Sequence, residues 1–181
     1  MPSFSLQFSK YLLISSILLM GGCLTVKPST KKGRGKLYKS FYVGEEGLQY
    51  FVKPLTFESQ DGTQLLMDIS FRHKADFVDS AIVNFSLFGE KLSKQVESVE
   101  VKSSSGSFTL TNAQLLFVEK EKGMIESRFT SKANPDNLSQ TFSNGSWQIK
   151  VNSPKGEDVF LPINSSRKAI AILHENVFSI L

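Results

Sequence analysis

The sequence predicts a mainly β protein: an antiparallel β-sandwich or open barrel of roughly nine short strands with two helices. Three observations point there. Apolar residues recur with period two through most of the chain after Leu48, the pattern of strands covered on one face. Turn-forming Gly, Pro, Asn and Asp interrupt these runs at spacings of about 8–12 residues. No run reads as a strand–helix–strand crossover, so a parallel sheet is not expected.

Leu37 to Val43 opens the series as a strand, and Gly44 and Gly47 bracket Glu45-Glu46 as a turn. Leu48 to Glu58 carries Tyr50, Val52 and Phe57, with Pro54 pushing it towards an edge or a bulge. Asp61-Gly62 is a hairpin signal, because a tight turn demands positive φ. In the strand that follows, Leu65, Met67, Ile69 and Phe71 face one way and Leu66, Asp68, Ser70 and Arg72 the other. Ala81 to Phe88 repeats the alternation through Val83, Phe85 and Leu87, and Val99 and Val101 carry it on. Phe108 and Leu110 open a segment leading into Leu115-Leu116-Phe117-Val118, and Lys122-Gly123 turns it back through Ile125, Ser127 and Phe129. Trp147, Ile149 and Val151 alternate next, and Pro154-Lys155-Gly156 turns them into Val159, Leu161 and Ile163.

Two helices break the pattern. A short one near 135–144 starts with Asn134 as cap and Pro135 at the first helical position, and Asn144-Gly145 ends it. A second, near 166–181, follows Ser165-Ser166, either of which serves as N-cap. Ile170, Leu173, Val177 and Ile180 fall on one of its faces. That face either docks on the sheet of its own domain or stays free for a partner or a membrane.

Hydrophobic residues make up 40% of the chain and charged residues 21%, a globular composition. Fifteen phenylalanines against one tryptophan suggest a well-filled core. The single cysteine, Cys23, leaves no disulfide within the molecule, and paired zinc-finger cysteines are excluded. The net charge of +4 is unevenly placed. Six of the 21 basic residues, and none of the 17 acidic ones, precede Leu37, so the rest carries 15 against 17, a net of −2. A nucleic-acid footprint would need a basic face on the folded part, and these totals supply none.

The first 36 residues carry an address. Lys10 precedes an apolar run from Tyr11 to Met20, closed by Gly21-Gly22-Cys23: a positive charge, an apolar stretch and a small-residue cleavage site make a secretory signal. The run is shorter than the roughly 20 residues a spanning helix needs. Leu24 to Lys36 reads as a flexible tether, with Lys27, Lys31, Lys32, Arg34 and Lys36 among Pro28, Gly33 and Gly35. Two readings of these five cations stand side by side. One is attraction to an anionic membrane, at about 1 kcal/mol per cation near the surface; the other is a solvated linker.

Met20-Gly21-Gly22-Cys23 resembles the lipobox of bacterial lipoproteins, with Met20 at the place usually held by leucine. The resemblance implies a signal peptide over 1–22, acylation of Cys23 with palmitate-type chains, and a tether over 23–36 ahead of one β domain over 37–181. It makes the lipid bilayer a partner through acylated Cys23. Leu24 stands where aspartate retains many lipoproteins at the inner membrane, which favours the outer membrane. The lack of an acidic run after Cys23 favours its periplasmic leaflet.

Chemistry-bearing residues do not converge. His73 ends a strand and reads as a solvated turn residue, while His174 flanks the apolar face of the last helix; two histidines alone make no metal site. Ser165-Ser166-Arg167-Lys168 contains a formal Ser-x-x-Lys without its companion motifs, and no Gly-x-Ser-x-Gly elbow or glycine-rich phosphate loop occurs. Glu45-Glu46, Asp76 with Asp79, and Glu157-Asp158 are carboxylate pairs at expected turns. Asp79-Ser80-Ala81 is similar to a short bacterial O-glycosylation signal, which makes Ser80 a candidate site. Asn84, Asn137, Asn144 and Asn164 head eukaryotic N-glycan triplets that carry no meaning behind a lipobox. Trp147, Tyr50 and Tyr42 are candidates for a carbohydrate platform, with Trp147 in phase with the core. The expectation is a non-enzymatic binding or structural role without cofactor or metal, as accessory subunit of an envelope complex with an envelope protein partner and no nucleic acid. A glycan-binding sandwich comes second and a hydrolase third.

Overall fold

The computed structural model describes residues 37–74, 77–78, 80–90, 94–121, 123–143 and 145–180. Their strands are β1 (Tyr38–Tyr42), β2 (Leu48–Ser59), β3 (Gln64–Lys74), β4 (Phe77–Val78), β5 (Ala81–Gly89), β6 (Ser98–Lys102), β7 (Ser107–Thr111), β8 (Gln114–Glu121), β9 (Met124–Ala133), β10 (Gln148–Ser153) and β11 (Gly156–Pro162). The helices are α1 (Pro135–Phe142) and α2 (Asn164–Asn176), and 3-10 turns lie at Gly44–Glu46 and Phe178–Ile180. Every pairing is antiparallel, in the order β7-β6-β10-β11-β2-β3-β5-β9-β8, with β1 on β2 and β4 on β3.

The strands thus form one continuous sheet, the open-barrel form of the expected architecture, curled into a half-barrel. The curl has a local cause. β7 and β8 lie at opposite ends of the strand order yet follow one another in sequence, joined through Asn112, a non-glycine residue at φ 56°. The first half of this bent strand pairs with β6 and the second with β9. At the bend the Ser131 hydroxyl of β9 donates to the Thr111 carbonyl at 3.0 Å. One strand switching partners through a corner is how a sheet turns on itself. The sequence pattern joined β7 and β8 into one segment and carried no signal for two-residue β4, which accounts for the strand count.

The glycine turns form where expected, with Gly44, Gly47, Gly62, Gly123 and Gly156 all at positive φ. Gly47 is the constrained one: at φ +87° a Cβ would lie 2.3 Å from the His73 carbonyl oxygen. Pro54 produces a bulge, and the β2–β3 register shifts between Val52 and Leu55.

The inner face of the sheet is the core. Leu65, Met67, Ile69 and Phe71 of β3 face it beside Val83 and Phe85 of β5 and Phe129 of β9, all buried. Helix α1 begins as its sequence dictates, with Pro135 in its first turn and the Asn134 side chain accepting from the Asp136 amide at 2.8 Å. At its end Ser143 is right-handed and Gly145 is not in the left-handed region, while Asn144 between them lies outside the described residues. Helix α2 docks on its own sheet, burying Ala169, Ile170 and Leu173, with Val177 and Phe178 buried just beyond it. Its start is also earlier than expected: the cap position is Ile163, and Ser166 lies inside the helix with its Oγ accepting from the Thr56 amide at 2.8 Å. That serine ties α2 to β2 rather than ending its own helix.

An aromatic chain joins helices to sheet. Phe57 and Trp147 stack at 6.1 Å, Trp147 meets Phe142 edge-on at 4.4 Å, and Phe142 stacks on Phe178 at 3.7 Å. Phe178 then reaches Phe71 at 5.5 Å, and Phe71 stacks on Tyr50 at 5.1 Å. The Trp147 indole N–H donates to the Thr141 carbonyl at 3.1 Å, so its one polar atom is satisfied in the core.

Candidate binding surfaces

The outer face of the central strands is held by a polar network. Arg128 of β9 reaches the Asp68 carboxylate of β3 at 2.6 Å and donates to the Ser86 hydroxyl of β5 at 3.0 Å. The Asn84 amide donates to the other Asp68 oxygen at 3.0 Å. Both charged side chains are about four-fifths buried, and each finds partners, so three strands are pinned in register without a free charge.

Strand β8 contrasts with this. It pairs only with β9 among the described residues, which leaves one backbone edge open. A register shift between Leu115 and Phe117 divides its side chains between the two faces, with Phe117 opposite Arg128 outside and Val118 opposite buried Ser127 inside. Leu115, Leu116, Phe117 and Val118 are all exposed, Leu116 by 52%, and Met124 at the start of β9 is exposed as well. Natural edges are normally blunted by charge, proline or cover; here charge begins only at Glu119 and Lys120.

A second apolar area lies on β1 and β2. Phe41 is 55% exposed and Tyr42 77%, with Val43, Leu48 and Phe51 beside them. Phe41 and Phe51 meet edge-on at 6.0 Å on the outer face. A cleft of about 510 Å³ opens where the β2–β3, β8–β9 and β10–β11 turns meet, with Leu87, Phe160 and Met124 in its wall and Asp61, Glu157 and Asp158 at its rim. Asp61 is committed to its own turn: it accepts from the Ser59 hydroxyl and the Thr63 amide, and these bonds hold its carboxyl below the ordinary aspartate value. Glu157 is bound by Lys150 at 3.0 Å.

The residues singled out from sequence fare unevenly. Cys23, Lys27, Lys31, Lys32, Arg34 and Lys36 lie outside the described residues, as do Asp76 and Asp79. Ser80 is exposed ahead of β5, at a shallow hollow that Lys132, Asn134 and Asp136 also line. His73 is not a solvated turn residue: it sits within β3, half-buried, its Nδ1 buried without a hydrogen-bond partner. His174 is likewise half-buried in α2 with an unpartnered Nδ1. No group of three or more His, Cys, Asp or Glu able to hold a metal occurs among the described residues. Glu157 and Asp158 lie on β11 rather than in a turn.

Trp147 is in the core as its phase required, and Tyr50 is buried too, with its hydroxyl pushed above the ordinary tyrosine value by burial. A carbohydrate platform therefore retains Tyr42 alone of its three aromatics. The sequence reading missed the exposure of β8. A run of four apolar residues signals a strand covered on both faces as readily as a bare edge, and only strand order separates the two.

No described helix is long and apolar enough to cross a membrane. Comparison with known protein families, curated proteins and solved structures found no match.

Proposed function

We propose that this chain is a bacterial envelope lipoprotein: acylated at Cys23, anchored to the outer membrane facing the periplasm, and serving there as the accessory subunit of an envelope protein complex. The address rests on the signal and lipobox pattern of the first 23 residues. The binding role rests on one observation, the open apolar edge of β8. A strand with a free backbone edge and apolar side chains on both faces suits an extended segment of a partner that adds to the sheet. Main-chain hydrogen bonds then supply affinity, and Leu115, Leu116, Phe117 and Val118 supply the side-chain grip. The role is non-enzymatic: the polar groups that converge, Asp68, Asn84, Ser86 and Arg128, saturate one another and hold strand register.

Site-specific photo-crosslinking from position 116 in the native host tests the proposal. The expected product is one discrete heteromeric adduct, mapped by mass spectrometry to an extended segment of an envelope protein and lost in Leu116→Lys. A chain that stays monodisperse and yields no adduct would overturn it.

A further inference from the structure

The second apolar area lies where the anchor-bearing stretch joins the fold, and its register has a pattern of its own. One cross-strand row on the outer face reads Lys39 of β1, Phe51 of β2, Ser70 of β3, Ile82 of β5 and Lys132 of β9, each residue directly opposite the next. Phe51 is 46% exposed and Ile82 43%, with an exposed lysine at each end of the row. Phe41 packs edge-on against Phe51, and Tyr42 and Val43 lead into the β1–β2 turn. On a central stretch of sheet, outward positions that elsewhere hold Asp68, Asn84 and Thr130 here hold large apolar groups between cations.

We propose that this face is a membrane-docking surface, seated on the headgroup region of an anionic bilayer. Aromatic and aliphatic groups flanked by lysines match that interface: rings and short apolar chains enter the acyl boundary while ammonium groups stay with lipid phosphates. The occupant follows from where the chain enters. Lys36, last of five cations uninterrupted by acidic residues, stands two residues before β1 begins at Tyr38. Read as a flexible tether, the 14 residues from Cys23 to Lys36 would span roughly 20 Å, so an anchor at Cys23 keeps the β1 end of the domain within reach of the lipid surface. Charge agrees among the described residues: Glu46 is bound by Arg72, and Glu45 at the tip and Asp136, which lines the same hollow as Lys132, stand against Lys39, Lys132 and the tether cations. The inference builds on the anchor reading and adds orientation: with β1–β2 on the lipid, the domain is held in a fixed pose instead of tumbling on its tether.

The test uses the native acylated chain in vesicles of about 70:30 phosphatidylcholine to phosphatidylglycerol. Acylation consumes Cys23, so Phe41→Cys, Ile82→Cys and Thr109→Cys each offer one free thiol for an environment-sensitive fluorophore. Thr109 is exposed on β7, away from the patch. Quenching by spin-labelled lipid is expected to be roughly three-fold or more stronger at 41 than at 109, with 82 nearer to 41, and to weaken in vesicles lacking the anionic lipid. Equal quenching at all three positions of a chain whose intact mass shows acylation overturns the docking face and leaves the anchor standing. A chain without acyl mass overturns the anchor, and the docking face with it. A β1–β2 label protected by a bound protein while the lipid quencher has no effect assigns the patch to a protein partner and also overturns the proposal.

Discussion

Strands β3 and β8 are nearly equal in apolar content and opposite in fate. β3 alternates strictly and has a strand on either side, so Leu65, Met67, Ile69 and Phe71 disappear into the core while Asp68 is enclosed by Asn84 and Arg128. β8 places four apolar residues in succession at an open edge and buries none of them. Side-chain chemistry is thus only half of burial. A strand's place in the sheet and the cover over each face decide the rest. β8 leaves its apolar side chains uncovered at an unpaired edge, the arrangement the proposed partner strand would use.

The contrast can be broken first from the core side. Trp147→Ala removes the ring that links Phe57 to Phe142 and strands the Thr141 carbonyl; a loss of about 3–5 kcal/mol is expected in denaturant unfolding. A loss below about 1 kcal/mol would mean that the helices are not tied to the sheet through this chain of rings. The backbone comes next. Gly47→Ala meets the His73 carbonyl at positive φ, whereas Gly44→Ala, also at positive φ, enters open space. The first is expected to cost about 2–3 kcal/mol and the second about 1 kcal/mol by the same measurement. Similar values for both would remove the claim that close approach, beyond left-handed φ, sets the β1–β2 turn.

The edge side sharpens the contrast with a small number. Leu116→Lys should change folding stability by no more than about 0.5 kcal/mol, while removing the cross-linked adduct. A large loss of stability would show β8 to be part of the core. Smallest is the effect at Asp61. Its folded-state pKa lies below its unfolded value, so the group adds stability above roughly pH 4. That contribution is lost as pH falls through the lower, folded value. Asp61→Asn should flatten the acid side of the unfolding midpoint profile slightly, since an exposed carboxylate is well screened by solvent.

Much of this was legible because local rules were obeyed locally. Alternation in β3 and β5 needs no partner to be read, Asn134-Pro135 writes its own helix start, and Gly62, Gly123 and Gly156 sit where the turns demand them. The failures share one cause. Ser166 looked like a cap until a distant strand, through Thr56, claimed its hydroxyl. His73 reads as solvated from its neighbours alone, but β3 pairs with β4 through and past it. Tyr50 could join a surface platform only while Phe71 was not known to lie over it.

The sequence by itself determined a mainly antiparallel β protein with two helices, because strand period, turn residues and helix caps are properties of neighbours in the chain. It also carries the lipobox-like pattern on which the proposed anchor rests. Only the tertiary structure decided that one sheet curls through a bend at Asn112, that α2 is docked, and that β8 and the β1–β2 face stay bare. Those outcomes depend on which strand lies beside which, and pairing energy between segments far apart in the chain leaves no mark in either segment alone.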